Sequence, residues 1–247
     1  MKRAILIAAV AVLAGVGARA ADDPAVAVVK KAIDAHGGEE ALKKAKGGEY
    51  KLEGEVTIGA DKSKFTSTVS YALPDKFRMT SDTAISGKKN SQVVIVNGDK
   101  LKVTNDGKAQ EIKPEVKAEF MQLAAVQEVS LLFPLLDDKK YTLKAEKDEK
   151  ADDKEVAVVL VSRKGMEDIR MSFDKKTGEW VKFTHKMLDP FGQKVLTEVT
   201  NTEFKKVDGV LQPSAQKMKQ ANKEFMTFKV LEAKLFEKPD LKAYTIE

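Results

Sequence analysis

The sequence predicts a mainly β protein of the α+β class, in which a curled antiparallel sheet of about ten or eleven strands is covered by α-helices. Apolar residues alternate with polar ones in a long series of short runs, and turn sequences separate these runs. No helical segment separates most of the runs, so neighbouring strands are expected to pair as an antiparallel meander. An open sheet of this size tends to curl, and its concave apolar face then needs a cover.

The first residues have the pattern of a secretory signal peptide. Lys2 and Arg3 precede an uninterrupted small apolar run, and the tripeptide A-R-A at positions 18–20 matches a cleavage site. We therefore predict a signal peptide over residues 1–20 and a single domain over residues 21–247. A retained membrane anchor is the alternative, but the apolar run is short for a bilayer span. The expected location is the periplasm, with secretion outside the cell as the alternative.

The composition excludes several functional classes. The chain contains no cysteine, which removes disulfides, thiol nucleophiles, thiolate metal sites and the lipid attachment point of a bacterial lipoprotein. Cleavage of the signal peptide would remove three cations and no acid, so the formal charge falls from +5 to +2. Charges of both signs alternate at residues 147–150 and 152–155, a pattern typical of solvated loops. We therefore expect no nucleic-acid partner.

The first elements of the mature chain are predicted to be helical. Val26, Val29 and Ile33 have the spacing of one helix face, and the glycine pair at 37–38 interrupts the pattern. A second short helix follows and ends at the next glycine pair. From residue 49 the period changes to two, and this period holds through residues 49–104 and again through residues 141–235, with turns such as Asn97-Gly98 between the strands.

A segment that is apolar almost all the way round lies between the two groups of strands. It runs over residues 114–133; Pro114 suits the first helical turn, and Pro134 is expected to end the helix by restricting Phe133. The segment is too short, and too interrupted by polar residues such as Glu128, to be a convincing membrane span. Two interpretations remain open. It is either a central core helix or a lid over an apolar cavity, with one face touching a ligand.

Several short motifs resemble a known family. The sequence S-Y-A-L-P-D-K-F-R-M at residues 70–79 is followed by V-V-I-V-N-G-D-K-L at residues 93–101. I-R-M-S-F-D at residues 169–174 and F-K-K-V-D-G-V-L-Q-P at residues 204–213 come later. In their order these motifs resemble the superfamily of periplasmic outer-membrane lipoprotein carriers, the LolA/LolB-like lipoprotein-sorting proteins. The resemblance covers most of the mature chain.

The resemblance implies an incomplete β-barrel closed by α-helices, with an apolar cavity for the acyl chains of lipids or lipoproteins. It also implies a monomeric carrier without enzymatic activity or cofactor, which exchanges its cargo with membrane-bound donor and acceptor proteins. The best-known carriers have an arginine just before the proline of P-x-x-F, where it helps to hold the lid closed; this chain has Leu73 there. A general role in binding lipid is therefore expected, rather than transfer between named partners.

The candidate lipid-binding residues come from the apolar helix and from two strands. Methionines are flexible and polarisable, which suits acyl chains of variable shape, although a methionine is more often simply part of a core. The eleven candidates are Phe77, Met79, Phe120, Met121, Leu123, Ala124, Leu131, Leu132, Phe183, His185 and Met187.

The two histidines are the remaining candidates for chemistry. His36 fits a helix C-terminus better than a metal site, because no further ligands lie nearby in the sequence. His185 is predicted to share a strand face with Val181, Phe183 and Met187, where it is a hydrogen-bonded core residue, a contact for a ligand headgroup, or the base of a hydrolase. No G-x-S-x-G, P-loop or dinucleotide motif occurs, so we predict no catalytic residue, metal or cofactor. The rival function is a structural or protein-interaction module of the cell envelope with a filled core.

Overall fold

The computed structural model describes residues 23–85 and 88–246, so the predicted signal peptide lies outside the described residues. The helices are α1 (Pro24–Ala35), α2 (Glu39–Lys44) and α3 (Pro114–Val129), with short 3-10 helices at Phe133–Leu136 and Leu241–Tyr244. The strands are β1 (Gly47–Ile58), β2 (Asp61–Ala72), β3 (Lys76–Ile85), β4 (Lys88–Asn97), β5 (Lys100–Asn105), β6 (Lys108–Ala109), β7 (Thr142–Ala145), β8 (Glu149–Ala151), β9 (Lys154–Ser162), β10 (Ile169–Asp174), β11 (Trp180–Leu188), β12 (Lys194–Val207), β13 (Val210–Gln220) and β14 (Lys223–Phe236).

The strands in the described part of the chain form one antiparallel sheet, which confirms the predicted fold class. The order is β6-β5-β4-β3-β2-β1-β14-β13-β12-β11-β10-β9-β7, and β8 pairs with β9 beside this path. The described residues form 14 strands, more than the ten or eleven that the sequence predicts, and two of them, β6 and β8, are only two and three residues long. The prediction of solvated loops at residues 147–155 was wrong in part, because β8 and β9 pair there as a hairpin of largely exposed residues.

The sheet curls around α3. This helix contacts both β4 and β11, which are separated in the sheet by six other strands. In a flat sheet these two strands would lie about 34 Å apart. A helix of 16 residues is only about 24 Å long. The sheet must therefore bend towards α3, which crosses its concave face.

A second helix fills one end of this concave face. The buried side of α1 includes Val29 and Ile33, and it packs on the half of the sheet that contains β7 and β9. Met171, Phe173 and Trp180 supply strand side chains to the same apolar cluster. Since hydrophobic burial is the main favourable term in folding, this cluster is the principal core of the described chain.

The helix α3 ends at Val129, four residues earlier than the sequence predicted. The hydroxyl of Ser130 donates a 2.7 Å hydrogen bond to the carbonyl of Gln127, and Leu132 has a left-handed backbone with φ of 61°. This turn sends Leu131 and Leu132 into two different apolar clusters. Core packing therefore ends the helix before Pro134 can. Of the helices at residues 23–85 and 88–246, none is both long and apolar enough to cross a bilayer.

A β-bulge changes one predicted strand face. The register between β10 and β11 shifts, with Ser172 opposite Lys182 but Phe173 opposite Trp180. Val181 is the extra residue of this bulge, and it packs with Val156 and Val158, away from the main core. The prediction that Val181 shares a face with Phe183 was therefore wrong.

Candidate functional site

The helix α3 is anchored through polar as well as apolar side chains. Its buried residues are Gln122, Ala125, Glu128 and Val129. The Gln122 side chain donates to the backbone carbonyl of Glu167 at 3.2 Å and accepts from the Glu167 amide at 3.1 Å. This pair of bonds fixes the middle of α3 to the loop before β10.

A second anchor fixes the C-terminal end of α3. The carboxylate of Glu128 accepts hydrogen bonds from the Tyr141 hydroxyl at 2.9 Å and from Arg163 at 3.0 Å, and it also forms an ion pair with Lys140. Burial, followed by the negative charge of Glu128, raises the pKa of Tyr141, so its hydroxyl stays protonated and donates. Both anchors lie on the half of the sheet that contains β9 and β10.

Three apolar residues of α3 are left only half-covered. At about 100° per residue, Phe120, Leu123 and Ala124 lie on the side of the helix opposite the buried residues Gln122 and Val129. All three are half-buried, and none of them belongs to an apolar core cluster. We call Phe120, Leu123 and Ala124 the apolar strip of α3. The helix α3 also contacts β4, in the other half of the sheet.

The strand β3 carries apolar side chains on the face of the sheet that points towards the helices. Phe77 lies directly opposite Tyr71, whose ring packs against Leu131 after α3, so both rings point towards the helices. Met79 is two residues further along the same face and is half-buried, directly opposite Val94 of β4. Met79 thus lies beside β4, one of the strands that α3 contacts.

The candidates on β11 belong to the other half of the concave face. Phe183 packs in the main core and stacks on His185, with ring centroids 5.6 Å apart. His185 is buried, and Met187, which follows on the same face, is half-buried. His185 therefore lies beneath the helices rather than at an open surface.

The eleven predicted residues thus separate into two groups. The enclosed residues are Phe77, Leu131, Leu132, Phe183 and His185. The half-buried residues are Met79, Phe120, Met121, Leu123, Ala124 and Met187. The half-buried group contains the apolar side chains that protein atoms leave partly uncovered.

The other histidine, His36, joins three elements of the fold. It occupies the C-cap position of α1, as the sequence predicted. Its Nδ1 donates to the Leu211 carbonyl at 2.7 Å, and its Nε2 accepts from the Trp180 amide at 3.1 Å. Both ring nitrogens are thus occupied by protein groups. No cluster of three or more potential metal ligands occurs within residues 23–85 and 88–246.

A cavity of about 1010 Å³ lies elsewhere on the sheet, along β1–β4 and β12–β14. Its lining is mostly charged, hydroxylated or amide side chains, including Glu53, Lys64 and Lys229. These three residues belong to the sheet face that points away from the helices, because they alternate with helix-facing Gly54 and Phe65. None of the eleven predicted residues lines it. The cavity is therefore distinct from the lipid-binding residues that the sequence predicts, although the apolar residues Phe65 and Phe228 also line it.

Comparison with known proteins gives matches at the level of structure. No family model matches the sequence, and no curated protein sequence matches it. A LolA superfamily protein from Nitrosomonas europaea is 13% identical, with a TM-score of 0.60 over 90% of this chain and 97% of that chain. An outer membrane lipoprotein-sorting protein domain from Vibrio parahaemolyticus is 11% identical, with a TM-score of 0.55 over 90% and 96% of the two chains. A DUF1329 family protein from Desulfovibrio piger is also 11% identical, with a TM-score of 0.57 over 90% and 98%.

The chain has the fold of the LolA superfamily. This agrees with the resemblance in the sequence motifs, and the identities are low enough that the likeness concerns the fold alone.

Within this LolA-like fold, the polar anchors of α3 differ from what the sequence predicts. The sequence marks Gln122 and Glu128 as interruptions of an apolar helix, whereas both are buried and hydrogen-bonded. One signal was available. Two polar residues six positions apart lie about 120° from each other around a helix, so both can make buried contacts when a broad side of the helix is covered. Their partners Tyr141, Arg163 and Glu167 could not be identified from the sequence, because they come from distant segments.

Because His185 is buried, we expect the free energy of unfolding to fall in acid. Burial lowers the pKa of His185 to about 4, and the nearby carboxylate of Glu167 opposes only part of this shift. The unfolded chain binds the proton near pH 6.5, so stability is complete above that pH and falls as the pH drops towards 4. At pH 5 we expect His185 to account for a loss of about 2 kcal/mol in the free energy of unfolding.

Urea unfolding at pH 7.5 and pH 5.0 tests this expectation, with His185→Gln compared with the unchanged protein. The variant should lose about 2 kcal/mol less between the two pH values, because it lacks the titrating imidazole. Other titrating groups contribute to both proteins and cancel in the comparison. Equal losses in the two proteins would show that His185 titrates normally in the folded state.

Proposed function

We propose that this protein is a non-enzymatic carrier that holds the acyl chains of lipids or lipoproteins between α3 and the concave face of its sheet. The observation that carries the proposal is the half-covered apolar strip of α3, on a helix that Gln122 fixes from the opposite side and that also contacts β4. A core helix is expected to bury its apolar residues and expose its polar ones. In α3, the polar residues Gln122 and Glu128 are buried while the apolar strip stays half-covered, which favours a guest as the missing partner of the strip.

An acyl chain can bind at such a site without a charged residue to hold it. Each methylene group removed from water contributes about 0.8 kcal/mol, so an acyl chain gains affinity from burial alone. Met79, Met121 and Met187 supply flexible side chains around the concave face, and flexible thioethers adapt to guests of variable shape. The LolA-like fold supports the same class of function by analogy.

The proposal extends to the location and the partners. Residues 1–20 are proposed as a cleaved signal peptide, residues 21–247 as one domain, and the periplasm as the compartment. Membrane-bound donor and acceptor proteins are the proposed exchange partners.

Replacing Leu123 with glutamate should weaken binding of a fluorescent fatty acid by at least about tenfold. The reason is that the new carboxylate must lose water when the chain covers it, and this desolvation is costly. Fluorescence titration of the purified protein measures the dissociation constant. Ala118→Glu is the matched control, because Ala118 is exposed on the same helix and receives the same new side chain.

Lipid extraction of the protein from its own periplasm completes this test. Mass spectrometry should detect a co-purifying acyl compound. An empty extract together with no binding of the fluorescent fatty acid would contradict the carrier function and favour a structural or interaction module. Equal affinities for Leu123→Glu and Ala118→Glu would place the acyl chain away from the strip.

A further inference from the structure

Three neighbouring strands carry a row of buried polar side chains on the helix-facing side of the sheet. His185 of β11 lies directly opposite Thr197 of β12, which lies directly opposite Gln220 of β13. Residues directly opposite each other in an antiparallel pair point to the same face. His185 points towards the helices, because it stacks on Phe183 of the main core. The three residues are 3%, 0% and 8% exposed, respectively.

This row is incompletely hydrogen-bonded within the described part of the chain. The Gln220 amide nitrogen donates to the Thr197 hydroxyl and to the Leu188 carbonyl, both at 3.4 Å. In contrast, Nδ1 of His185 and Oε1 of Gln220 have no partner among the described residues. Buried polar atoms in folded proteins are nearly always paired with protein, water or a ligand. Two such atoms in one row of three residues therefore call for a partner from outside the protein.

The surroundings of the row restrict the chemistry of that partner. Glu119 of α3 has a buried Oε2 without a partner among the described residues. The pKa of Lys194 is raised first by its hydrogen bond to Glu167 and, to a smaller extent, by the charge of Glu119, which places both carboxylates near the start of β12. An anionic headgroup would meet the carboxylate of Glu119 and the acceptor oxygen of Gln220, because the cation of Lys194 is already paired with Glu167. A hydroxyl group, in contrast, can donate to Gln220 and either donate to or accept from the imidazole of His185.

We propose that His185, Thr197 and Gln220 form a polar subsite that binds the uncharged, hydroxyl-bearing headgroup of the acyl compound, such as the glycerol group of a monoacylglycerol. The inference rests on the proposed function and goes beyond it by naming the class of headgroup. In this arrangement, the apolar strip of α3 and the helix-facing side of β3 bind the acyl chain. The row on β11–β13 binds the headgroup.

Displacement of a bound fluorescent fatty acid at pH 7.5 tests the subsite, with monomyristoylglycerol, methyl myristate and myristic acid as competitors of equal chain length. We expect monomyristoylglycerol to bind at least about tenfold more tightly than methyl myristate, because a site built to pair hydroxyl groups disfavours a ligand without them. Myristic acid should also bind less tightly than monomyristoylglycerol, because its carboxylate meets Glu119 and Glu167.

Two variants test whether the row of His185, Thr197 and Gln220 causes the preference for monomyristoylglycerol over methyl myristate. Thr197→Val removes one hydroxyl at nearly constant volume, and Gln220→Leu removes the unpaired oxygen near a strand end. Each should bring the ratio of the two affinities close to one by weakening the binding of monomyristoylglycerol. Gln110→Leu is the control, because Gln110 is exposed and its side chain donates only to the nearby Lys108 carbonyl. Thermal unfolding verifies that each variant is folded.

The outcomes separate the two proposals. If no competitor displaces the probe and the probe itself does not bind, the carrier function fails and the subsite fails with it. If methyl myristate and monomyristoylglycerol bind equally well to the unchanged protein, only the subsite is overturned, and the row holds a bound water only. Tighter binding of myristic acid would overturn the choice of an uncharged headgroup.

Discussion

Replacing Glu128 with alanine is expected to lower the free energy of unfolding by about 3 kcal/mol. The substitution leaves the cations of Lys140 and Arg163 facing each other, without the carboxylate that they share. It also removes the acceptor of the buried Tyr141 hydroxyl. Removing one partner of a buried charge network costs about 3–5 kcal/mol, and the partial exposure of the two cations places the effect at the lower end. Urea unfolding at pH 7.5 measures the change.

Two further variants separate the charge of Glu128 from other effects on α3. Glu128→Gln keeps an acceptor for Tyr141 and loses only the charge, so its loss of stability should be smaller than that of the alanine variant. Glu115→Ala removes an exposed carboxylate of the same helix and should cost less than about 1 kcal/mol. If Glu128→Ala costs no more than Glu115→Ala, Glu128 does not anchor the helix.

The same substitution should accelerate the release of a bound acyl chain. The Glu128 network fixes the C-terminal end of α3, so its loss frees that end to move away from the sheet. Stopped-flow measurement of the dissociation rate of a fluorescent fatty acid should give a faster rate for Glu128→Ala than for Glu115→Ala. Identical rates would mean that the chain leaves without movement of this end of α3.

Replacing Gly54 with alanine is expected to lower the free energy of unfolding by about 3 kcal/mol, although it adds a single methyl group. A Cβ atom at this position would lie 2.1 Å from the carbonyl oxygen of Thr227 and 2.8 Å from both Phe65 Cε1 and Phe228 Cβ. Gly54 pairs with Phe65 on one side and Phe228 on the other, at the junction between β2, β1 and β14. The backbone has to shift because one of the clashing atoms is itself a backbone oxygen.

The control for Gly54 is its neighbour on the opposite face. Glu55→Ala changes an exposed residue of the same strand and should alter the stability by less than about 0.5 kcal/mol. Urea unfolding compares the two variants. A similar small loss for both would show that the sheet adjusts freely around Gly54, and that the close approach of the aromatic residues is not required.

Most of the sheet could be predicted because each strand shows its own alternation of apolar and polar residues. The strand β1, for example, places Tyr50, Leu52 and Val56 on one face and charged residues on the other, and it pairs in that register with β2. The short strands β6 and β8 were missed because two or three residues are too few to show a period. The bulge at Val181 was missed because an extra residue reverses the faces without any local change in composition.

The candidate site was harder to predict than the sheet because it depends on contacts between distant segments. The sequence identified α3 and its apolar residues, and it left open whether protein or a ligand covers them. Only the folded chain brings Glu167 to Gln122 and Arg163 to Glu128, which fixes the side of the helix that is buried. The neighbours of His185 on the sheet, Thr197 and Gln220, likewise follow from the strand pairing.

The sequence by itself determined the fold class, the direction of strand pairing and the position of the covering helix, because these depend on local periodicity and turn residues. The tertiary structure alone decided that polar residues anchor α3 and that its apolar strip remains half-covered. The physical reason is that 100° of rotation per residue gives α3 apolar residues on every side, so its hydrophobic pattern selects no orientation. Specific hydrogen bonds and ion pairs select it instead, and their partners meet only when the sheet has curled.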